Sequence, residues 1–495
     1  MLTKPAHGGL WGIAALGVGL AFFGWLAWSF RGYTPDDTYI YFRYAQNFAA
    51  GRGLVFNPGE RVYGSTSLPW TLLLAAAEKA GLPLLATAKV TGAALGAMTI
   101  IVVQRIVQRI DRRAAIAAPL VMAGFIDLPY WAVSGMDTAL FGCVIATALL
   151  ATVRAADGGA FAVAGLAWGI AAAVRPEGTA LGLSALGWLI LRDRVARRDV
   201  IRAVTMFALP VAATLLFAWM YYGDVVPNTY WAKRFDRAAS LHHALIYLRA
   251  FAMANEGALM IGALAGACLL SRARAVRLMA LTLSVYVACL LWTGGDSWRA
   301  PHVFRVAAPM LAPLGVLMAV GLTGVWVRVT AGVPAHAASA GTALVLAAWL
   351  AFPSAGGLIL RRVGGDPGIV AHLVAHAGPD DAVAVTDIGW VGYETDLRVV
   401  DMFGLVDRWV ARSLRKRNGS RYHAGEAERL TDYVMGRAPR WIILKGTRRP
   451  DGTLDVHDET GAPVVYRDAR FVERYRLVLA GSPEPYLLFE RRAAS

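Results

Sequence analysis

Residues 34–44 read Thr-Pro-Asp-Asp-Thr-Tyr-Ile-Tyr-Phe-Arg-Tyr, and this stretch follows directly on a long apolar segment at the N-terminus. Thr34 suits the N-cap of a helix, Pro35 its first residue and Asp37 the third position of a capping box. Aromatic and apolar residues then recur at helical spacing up to a stop at Gly51. The pattern predicts a short amphipathic helix that lies in a membrane interface and does not cross the bilayer.

Two adjacent carboxylates, Asp36 and Asp37, stand at the start of this predicted helix. An ionisable group beside hydrocarbon is costly, and it therefore indicates a functional site. The alternative is that both side chains only cap the helix and interact with its dipole. The pair alone does not separate these interpretations, so the positions of the other charged residues must decide between them.

The composition is that of a protein with many membrane spans. The chain has 495 residues, of which 57% are hydrophobic, and its mean hydropathy is +0.48. The formal net charge of +15 does not indicate nucleic-acid binding, because the basic residues mostly lie in short loops between apolar runs. The three cysteines all lie inside apolar runs, so neither a disulfide framework nor a zinc site is expected.

The apolar runs predict about eleven membrane spans, the first of them a retained N-terminal span and not a cleaved signal peptide. The runs lie near residues 9–30, 84–104, 114–132, 138–153, 160–174, 178–191, 203–222, 257–270, 276–293, 303–327 and 339–360. Arginines concentrate in alternate loops, for example 105–113 and 192–202. By the positive-inside rule these loops are cytoplasmic, which places the N-terminus inside and the C-terminus outside.

The predicted domains are a transmembrane domain at 1–360, whose outer loop 31–83 carries interfacial helices, and a soluble α/β domain at 361–495. The stretch Leu68–Ala80 is either another interfacial helix or the start of a longer span. The fold class is thus a mainly α-helical multi-pass membrane protein with a C-terminal α/β domain. The predicted strands of that domain are Ala382–Thr386, Arg398–Val400, Trp441–Lys445, Arg476–Leu479 and Tyr486–Glu490, with helices at 368–377 and 424–436.

Polar residues at the ends of the predicted spans mostly fall on the outer face. They are Asp36, Asp37, Asp127, Asp137, Arg175, Glu177, Asp224, Asn228, Lys233, Asp296, Arg299, His302 and Arg305. A cluster that mixes acids and bases indicates a site that handles an anion and a proton together. Each member also has a structural interpretation: Asp137 as a cap, Arg175 and Glu177 as a pair, Asp224 as a turn residue and Lys233 as an anchor.

The chemistry that suits this set is the transfer of a group from a lipid-linked phosphate. Lys233, Arg299 and Arg305 would hold the phosphate as leaving group, and one carboxylate of the Asp36 and Asp37 pair would take the proton of an acceptor hydroxyl. The remaining candidates divide into two sets. Donor binding would also involve Asp224, Asn228 and Asp296, whereas Tyr41, Asp137, Arg175, Glu177 and Asp387 would serve the acceptor or support the other site residues.

Several motifs together resemble a known family. They are the Asp-Asp pair after the first span, Gly-Arg-Gly-Leu-Val-Phe-Asn-Pro-Gly-Glu-Arg-Val at 51–62, Ser-Thr-Ser-Leu-Pro-Trp at 65–70, Gly-Asp-Val-Val-Pro-Asn-Thr at 223–229, Gly-Gly-Asp at 294–296, Asp-Ile-Gly at 387–389 and Asp-Met-Phe-Gly-Leu-Val-Asp at 401–407. The chain resembles the integral-membrane glycosyltransferases of the GT-C class, and within it the group that contains the mycobacterial terminal arabinofuranosyltransferase.

The resemblance implies a polyprenyl-phosphate sugar as donor, with arabinofuranose as the sugar, and a cell-envelope glycan as acceptor. It implies an active site at the outer face of the inner membrane, with Asp36 or Asp37 as catalytic residue and with neither metal nor cofactor. Two departures bear on the acceptor and the sugar more than on the reaction class: Asp137 stands where many relatives have Glu, and the soluble domain is shorter than in the mycobacterial enzyme.

Two other functions remain open on the sequence. A flippase or other transporter of lipid-linked sugars would place ionisable groups near mid-membrane and on both sides of its path, whereas the spans here are nearly uncharged at their centres. A glycan ligase or polymerase would use a similar outer-face site, and the sequence separates it poorly from a glycosyltransferase.

Overall fold

The computed structural model describes residues 7–192, 195–234, 236–255, 257–295, 304–329, 365–418, 421–423, 425–457, 461–481 and 485–492. The chain forms two compact units. The helical unit comprises Met1–Tyr33, Leu85–Thr214 and Leu241–Arg361, and the mixed unit comprises Thr34–Leu84, Leu215–Ser240 and Arg362–Ser495. The first loop therefore shares a unit with the C-terminal part of the chain.

The described part of the helical unit is almost entirely α-helical. Its helices are α1 (His7–Phe30), α4 (Leu84–Ile110), α5 (Ala114–Gly124), α6 (Asp127–Ala132), α7 (Thr138–Ala156), α8 (Phe161–Val174), α9 (Glu177–Arg192), most of α10 (Arg197–Tyr222), α12 (Arg237–Ala254), α13 (Gly257–Leu270), α14 (Arg274–Thr293) and α15 (Leu311–Val329).

Among the described residues, six helices are long and apolar enough to cross a membrane. They are Leu10–Phe30, Leu84–Ile110, Thr138–Ala156, Arg197–Tyr222, Arg274–Thr293 and Ala308–Val329. Four shorter apolar helices accompany them: Ala114–Gly124, Phe161–Val174, Glu177–Leu191 and Met260–Leu270. Each coincides with a predicted apolar run, while the run at 339–360 lies outside the described residues. The prediction of a multi-pass helical membrane protein is confirmed.

The helices of this unit pack closely where glycine meets the backbone of a neighbour. A Cβ atom on Gly321 of α15 would lie 1.8 Å from the carbonyl oxygen of Ala263 on α13. A Cβ on Gly165 of α8 would lie 2.1 Å from the carbonyl oxygen of Ala203 on α10. Hydrocarbon offers apolar helices no hydrophobic gain from association, so close packing through small residues holds them together.

The mixed unit contains helices from three separate parts of the sequence and all of the described strands. Its elements are α2 (Asp36–Ala49), α3 (Leu68–Lys79), the end of α10, α11 (Asn228–Ala232), α16 (Pro367–His376), β1 (Ala382–Val385), α17 (Ile388–Thr395), β2 (Arg398–Asp401), α18 (Arg408–Ser413), β3 (Lys416–Asn418), β4 (Arg421–Tyr422), α19 (Glu426–Arg437), β5 (Trp441–Arg448), β6 (Leu454–Val456), α20 (Ala462–Arg467), α21 (Ala469–Arg474), β7 (Tyr475–Ala480) and β8 (Tyr486–Arg491).

A six-stranded sheet forms the centre of the C-terminal part, in the order β2-β1-β5-β8-β7, with β6 paired to β5. Strand β1 runs parallel to β2 and to β5, whereas β5 with β8 and β8 with β7 are antiparallel. Helix α17 connects the parallel pair β1 and β2, as a parallel connection requires. The five predicted strands are confirmed, and the short strands β3, β4 and β6 were not predicted.

Local capping explains where two helices of this part begin. Asp366 precedes α16, and its carboxylate accepts from the amides of Gly368 and Ile369 at 2.8 and 3.0 Å. Pro367 then fills the first helical position, where no amide hydrogen is needed. Asp407 caps α18 in the same way, through the amides of Trp409 and Val410.

Candidate active site

The predicted capping box at the start of α2 is wrong. The helix begins at Asp36, its N-cap is Pro35, and no side chain makes a capping hydrogen bond there. Thr34 is therefore not the N-cap, and Pro35 is not the first helical residue.

The carboxylate of Asp36 binds the N-terminus of a different helix. It accepts a hydrogen bond from the amide of Gly389 at 3.0 Å and one from the amide of Trp390 at 2.8 Å. Both amides lie in the first turn of α17, where the backbone donors have no partner within the helix. Asp36 is only 7% exposed, so this carboxylate is enclosed by the mixed unit.

The electrostatic setting of Asp36 differs from that of an exposed acid. Burial raises its pKa well above the ordinary value, and the nearby carboxylates of Asp387 and Asp37 raise it further, while the two amides act in the opposite direction. Asp37, the next residue along α2, is half-buried. The pair is thus asymmetric, with one carboxylate enclosed and its neighbour partly accessible.

The rest of α2 is held by Arg43, which is 0% exposed. Its guanidinium donates to the carbonyl oxygens of Phe56 at 3.1 Å and Asp396 at 3.2 Å, and it also pairs with the carboxylate of Asp396. The hydroxyl of Tyr41 lies 3.0 Å from that of Thr66. A role for Tyr41 at the site stays a prediction.

The segment 222–233 contributes three of the predicted donor-binding residues. Asn228 is buried, and its side-chain amide donates to the carbonyl oxygens of Gly404 at 2.8 Å, Leu405 at 3.2 Å and Asp407 at 3.2 Å. Asp224 forms an ion pair with Arg412, and Lys233 is half-buried. These contacts join the segment to the loop after β2, and donor binding by these residues stays a prediction.

Asp387 lies at the start of α17 without capping it. Its carboxylate instead accepts from the hydroxyl of Tyr486 at 2.5 Å and pairs with the ammonium of Lys445 at 3.0 Å. Tyr486 and Lys445 belong to the antiparallel strands β8 and β5, so Asp387 joins the helix to the sheet. The amides of α17 are left for Asp36.

Four of the predicted residues come together in the helical unit. Arg175 lies 3.4 Å from the carboxylate of Asp137 and 3.4 Å from that of Glu177. Arg305 adds a second positive charge near Asp137, and Asp137 is fully buried. The two guanidiniums stabilise the carboxylates at this depth, where a single charge would be costly. Whether Arg305 binds the donor phosphate stays a prediction.

Asp127 of the same unit is fully buried, and its carboxylate accepts from the amide of Phe304. A cavity of about 10 Å³ lies beside it, lined in part by Thr99 and Thr138. This volume corresponds to roughly one water molecule, so it cannot hold a sugar. Two further predicted residues, Asp296 and Arg299, lie with His302 outside the described residues.

Sequence reasoning missed several buried charges of the mixed unit. Asp401 accepts from the amides of Phe403, Gly404 and Val406 at 2.7–2.8 Å. The ammonium of Lys416, which is 3% exposed, donates at 2.6 Å to the carbonyl oxygens of Ala232 and of Phe403. Asp401 opens an Asp-x-x-Gly turn, which is a usable signal, whereas nothing local distinguishes Lys416 from a surface lysine.

No three His, Cys, Asp or Glu side chains of the described residues come together as a metal-binding group. The mixed unit supplies candidate carboxylates, tyrosines and backbone amides, and the helical unit supplies a separate set of carboxylates and guanidiniums. Such groups can accept a proton and bind an anion. The expectation of a metal-independent reaction stays a prediction.

Comparison with known proteins finds similar sequences and folds. Residues 361–489 match a family described as a domain of unknown function (DUF8728). The terminal β-(1→2)-arabinofuranosyltransferase of Mycobacterium tuberculosis is 31% identical over 229 residues, which are 43% of this chain and 36% of that protein. The chain thus spans about a third of the length of this curated relative.

The fold is shared with three solved membrane proteins. The oligosaccharyltransferase of Archaeoglobus fulgidus matches with a TM-score of 0.62 at 13% identity, over 95% of this chain and 80% of that one. ArnT of Cupriavidus metallidurans, bound to undecaprenyl phosphate, matches with a TM-score of 0.57 at 14% identity, over 99% of both chains. The mycobacterial arabinofuranosyltransferase AftD matches with a TM-score of 0.54 at 16% identity, over 100% of this chain and 42% of that one. The chain is therefore an integral membrane protein with the fold of the GT-C glycosyltransferases and a sequence similar to the mycobacterial terminal arabinofuranosyltransferase.

Proposed function

We propose that the chain is a glycosyltransferase that moves arabinofuranose from a polyprenyl-phosphate donor to a glycan of the bacterial cell envelope. The acceptor hydroxyl oxygen bonds to the anomeric carbon, the bond from that carbon to the phosphate oxygen breaks, and the polyprenyl phosphate leaves with the electron pair. The hydroxyl proton passes to a base. The similarity to an arabinofuranosyltransferase supports the sugar, and the fold shared with an undecaprenyl-phosphate-bound protein supports a lipid-linked donor.

Asp37 is the base in this proposal. The observation that carries it is the asymmetry of the pair, because Asp36 already accepts two backbone amides in an enclosed position while Asp37 is partly accessible. A general base must come within hydrogen-bond distance of the proton that it takes, and an accessible carboxylate meets that requirement. No metal or organic cofactor takes part, since a carboxylate base and a phosphate leaving group suffice.

The reaction takes place at the outer face of the inner membrane, with the N-terminus in the cytoplasm and the C-terminal part outside. The alternation of arginine-rich loops along the sequence supports this orientation. Alkaline phosphatase fused after the C-terminal residue should be active, because that enzyme matures only outside the cytoplasm. An inactive fusion beside an active cytoplasmic reporter at the same position would overturn the orientation.

The reaction is tested with the purified full chain in lipid nanodiscs. Decaprenyl-phosphate arabinofuranose and a panel of other polyprenyl-phosphate pentoses and hexoses are each offered with arabinan oligosaccharides, and products are identified by mass spectrometry. We expect transfer of one arabinofuranose and no loss of rate in EDTA. Transfer from none of the donors would refute the glycosyltransferase, and transfer of another sugar alone would refute the donor.

Substitution of Asp37 then tests its role as the base. Asp37→Asn should lower kcat by about 10²–10⁴, the usual contribution of a general base. Asp380→Asn is the matched control, because it removes one exposed carboxylate of the same unit, and its rate should equal that of the wild type. If Asp37→Asn transfers sugar within threefold of the wild-type rate, another group is the base.

A further inference from the structure

The contact between Asp36 and α17 replaces the cap that this helix would otherwise have. The N-cap residue of α17 is Asp387, and it makes no side-chain capping bond. The amides of Gly389 and Trp390, in the first turn, instead donate to the two carboxylate oxygens of Asp36. A residue 353 positions away in the sequence thus performs the task that a neighbouring side chain usually performs.

The backbones as well as the side chains meet at this point. A Cβ atom on Gly389 would lie 2.0 Å from the carbonyl oxygen of Asp36 and 2.8 Å from its Oδ1. A methyl group cannot occupy that position without moving the helix or the loop apart, because the nearest atom belongs to rigid backbone. Glycine at 389 is therefore a condition for the two hydrogen bonds.

Further contacts continue along the same two helices. The rings of Tyr39 and Phe42 on α2 pack against Tyr393 of α17, with centroids 5.8 and 5.5 Å apart. Arg43 binds the carbonyl oxygen and the carboxylate of Asp396, directly after α17. Helix α2 is thus held at its first turn and again about two turns later, and both contacts oppose its rotation and its sliding along its axis.

We propose that Asp36 is a positioning residue that aims Asp37: its carboxylate, held by the amides of Gly389 and Trp390, fixes the rotation of α2 and with it the direction of the neighbouring side chain. Consecutive side chains on a helix leave the backbone about 100° apart, so fixing the rotation of α2 sets the direction of the Cα–Cβ bond of Asp37. Asp36 itself takes no proton from the acceptor. This inference rests on the proposed function, because it gives Asp37 the role of base.

The arrangement has a chemical advantage over a pair of equivalent acids. Two adjacent carboxylates that were both accessible would share protons and titrate as a pair. Enclosing Asp36 against backbone donors gives the two acids different roles. Asp36 positions the helix, whereas Asp37 stays partly accessible and acts as the base. Burial already sets the pKa of Asp36 apart from that of an exposed acid, which is consistent with this division.

The test uses the full chain in nanodiscs and three variants: Asp36→Asn, Asp36→Ala and Gly389→Ala. Asparagine keeps the shape and one accepting oxygen, alanine removes both acceptors, and the glycine variant leaves Asp36 unchanged but blocks the approach. We expect kcat to fall at least tenfold in Gly389→Ala and Asp36→Ala, and less in Asp36→Asn. The KM for decaprenyl-phosphate arabinofuranose should stay within threefold, because binding of the donor does not depend on the direction of the base.

Hydrogen–deuterium exchange supplies a readout that does not depend on activity. Peptides that cover α17 and the start of α2 should exchange at least tenfold faster in Asp36→Asn than in wild type, while a peptide from β5 stays unchanged. Unchanged exchange at α17 would overturn the proposal, as would a wild-type kcat in both Asp36→Ala and Gly389→Ala. A variant that fails to fold is replaced in this measurement by Asp36→Asn, the closest in shape.

The outcomes separate this proposal from the proposed function. If Asp37→Asn is inactive while the Asp36 and Gly389 variants transfer at the wild-type rate, only the positioning role is wrong. If Asp37→Asn is active and Asp36→Asn is inactive, the roles of the two acids are reversed. If no variant or wild-type protein transfers sugar, the glycosyltransferase proposal fails, and the exchange measurement alone then decides whether Asp36 holds α17.

Discussion

Replacing Arg43 by methionine removes a guanidinium that is fully buried and donates to two backbone carbonyls as well as to the carboxylate of Asp396. Arg52 pairs with the same carboxylate at 3.0 Å, but its side chain is 33% exposed. The two arginines therefore form a matched pair of variants. They share one partner and differ in burial.

The structure sets the expected size of each effect. Loss of a buried ion pair usually costs about 3–5 kcal/mol, but the side chain of Asp396 is 58% exposed and can be hydrated once Arg43 is gone. The carbonyl of Phe56 also keeps a second donor, Asn47, at 2.8 Å. We therefore expect Arg43→Met to cost about 2–3 kcal/mol, mainly for lost hydrogen bonds of a charged donor. Arg52→Met should cost about 0.2–1 kcal/mol, as exposed pairs do.

Thermal unfolding of the full chain in detergent measures this difference. For units of this size 1 kcal/mol corresponds to about 2–4 °C in Tm, so Arg43→Met should lower Tm by about 4–12 °C and Arg52→Met by less than about 4 °C. Burial acts against the charge on Asp396, yet hydrogen bonds from Arg43 and Arg52 hold its pKa below the ordinary value. Its contribution is then present above about pH 4 and is lost only at lower pH, so the difference should be constant from pH 5 to 8.

Equal losses in Arg43→Met and Arg52→Met would refute this reasoning, because burial would then not decide the strength of the contact. So would a Tm for Arg43→Met within 1 °C of wild type. If the loss of Tm in Arg43→Met disappeared between pH 8 and pH 5, the ion pair between Arg43 and Asp396 would not be ionised as described.

Three further predictions concern other parts of the chain. Burial lowers the pKa of Lys416 to about 7, so the folded protein binds fewer protons than the unfolded chain above that pH. The free energy of unfolding should therefore rise by up to about 5 kcal/mol between about pH 7 and 10. Thermal unfolding across this pH series should show a rise in Tm for the wild type and none for Lys416→Met. Gly321→Leu should force α13 and α15 apart and lower the yield of folded protein in detergent, because even a Cβ would lie 1.8 Å from the carbonyl of Ala263. Gly262→Leu is the control and should leave that yield unchanged, because its Cβ would meet nothing within 4 Å. Similar yields for the two variants would contradict this packing. Arg305→Ala should weaken the binding of decaprenyl phosphate to the protein in nanodiscs at least tenfold, while Tm falls by no more than a few degrees. An unchanged affinity together with lost stability would make Arg305 a structural residue.

The fold could largely be predicted from the sequence, because its main signals are local. Apolar runs of spanning length mark the helices of the membrane region, and short apolar runs such as Trp441–Lys445 mark the strands. The strands that escaped prediction are three residues or shorter, and Leu454–Val456 is only partly buried. They are specified by the strand that they pair with, which no local pattern reveals.

The site could be predicted in composition but not in arrangement. The residues Asp36 and Asp37 stand out by their position after the first span, yet the predicted capping box was wrong, and the amides that Asp36 binds lie 353 and 354 residues away. Arg43 is visible in the sequence as a charge inside an aromatic run, but its partner Asp396 is equally distant. Long-range hydrogen bonds produce no periodic pattern in the sequence. Only the structure therefore shows that Asp36 is enclosed and that Asp37 is partly accessible.

The distance in sequence between Asp36 and Gly389 also sets an order of events during synthesis. A ribosome that adds about 5–20 residues per second needs roughly 20–70 s to make the 353 residues between them. Throughout that interval the first loop exists without the amides that will enclose its acid. A chain released before residue 361 would keep the loop in this unfinished state permanently, and cells should remove such fragments faster than the full-length protein.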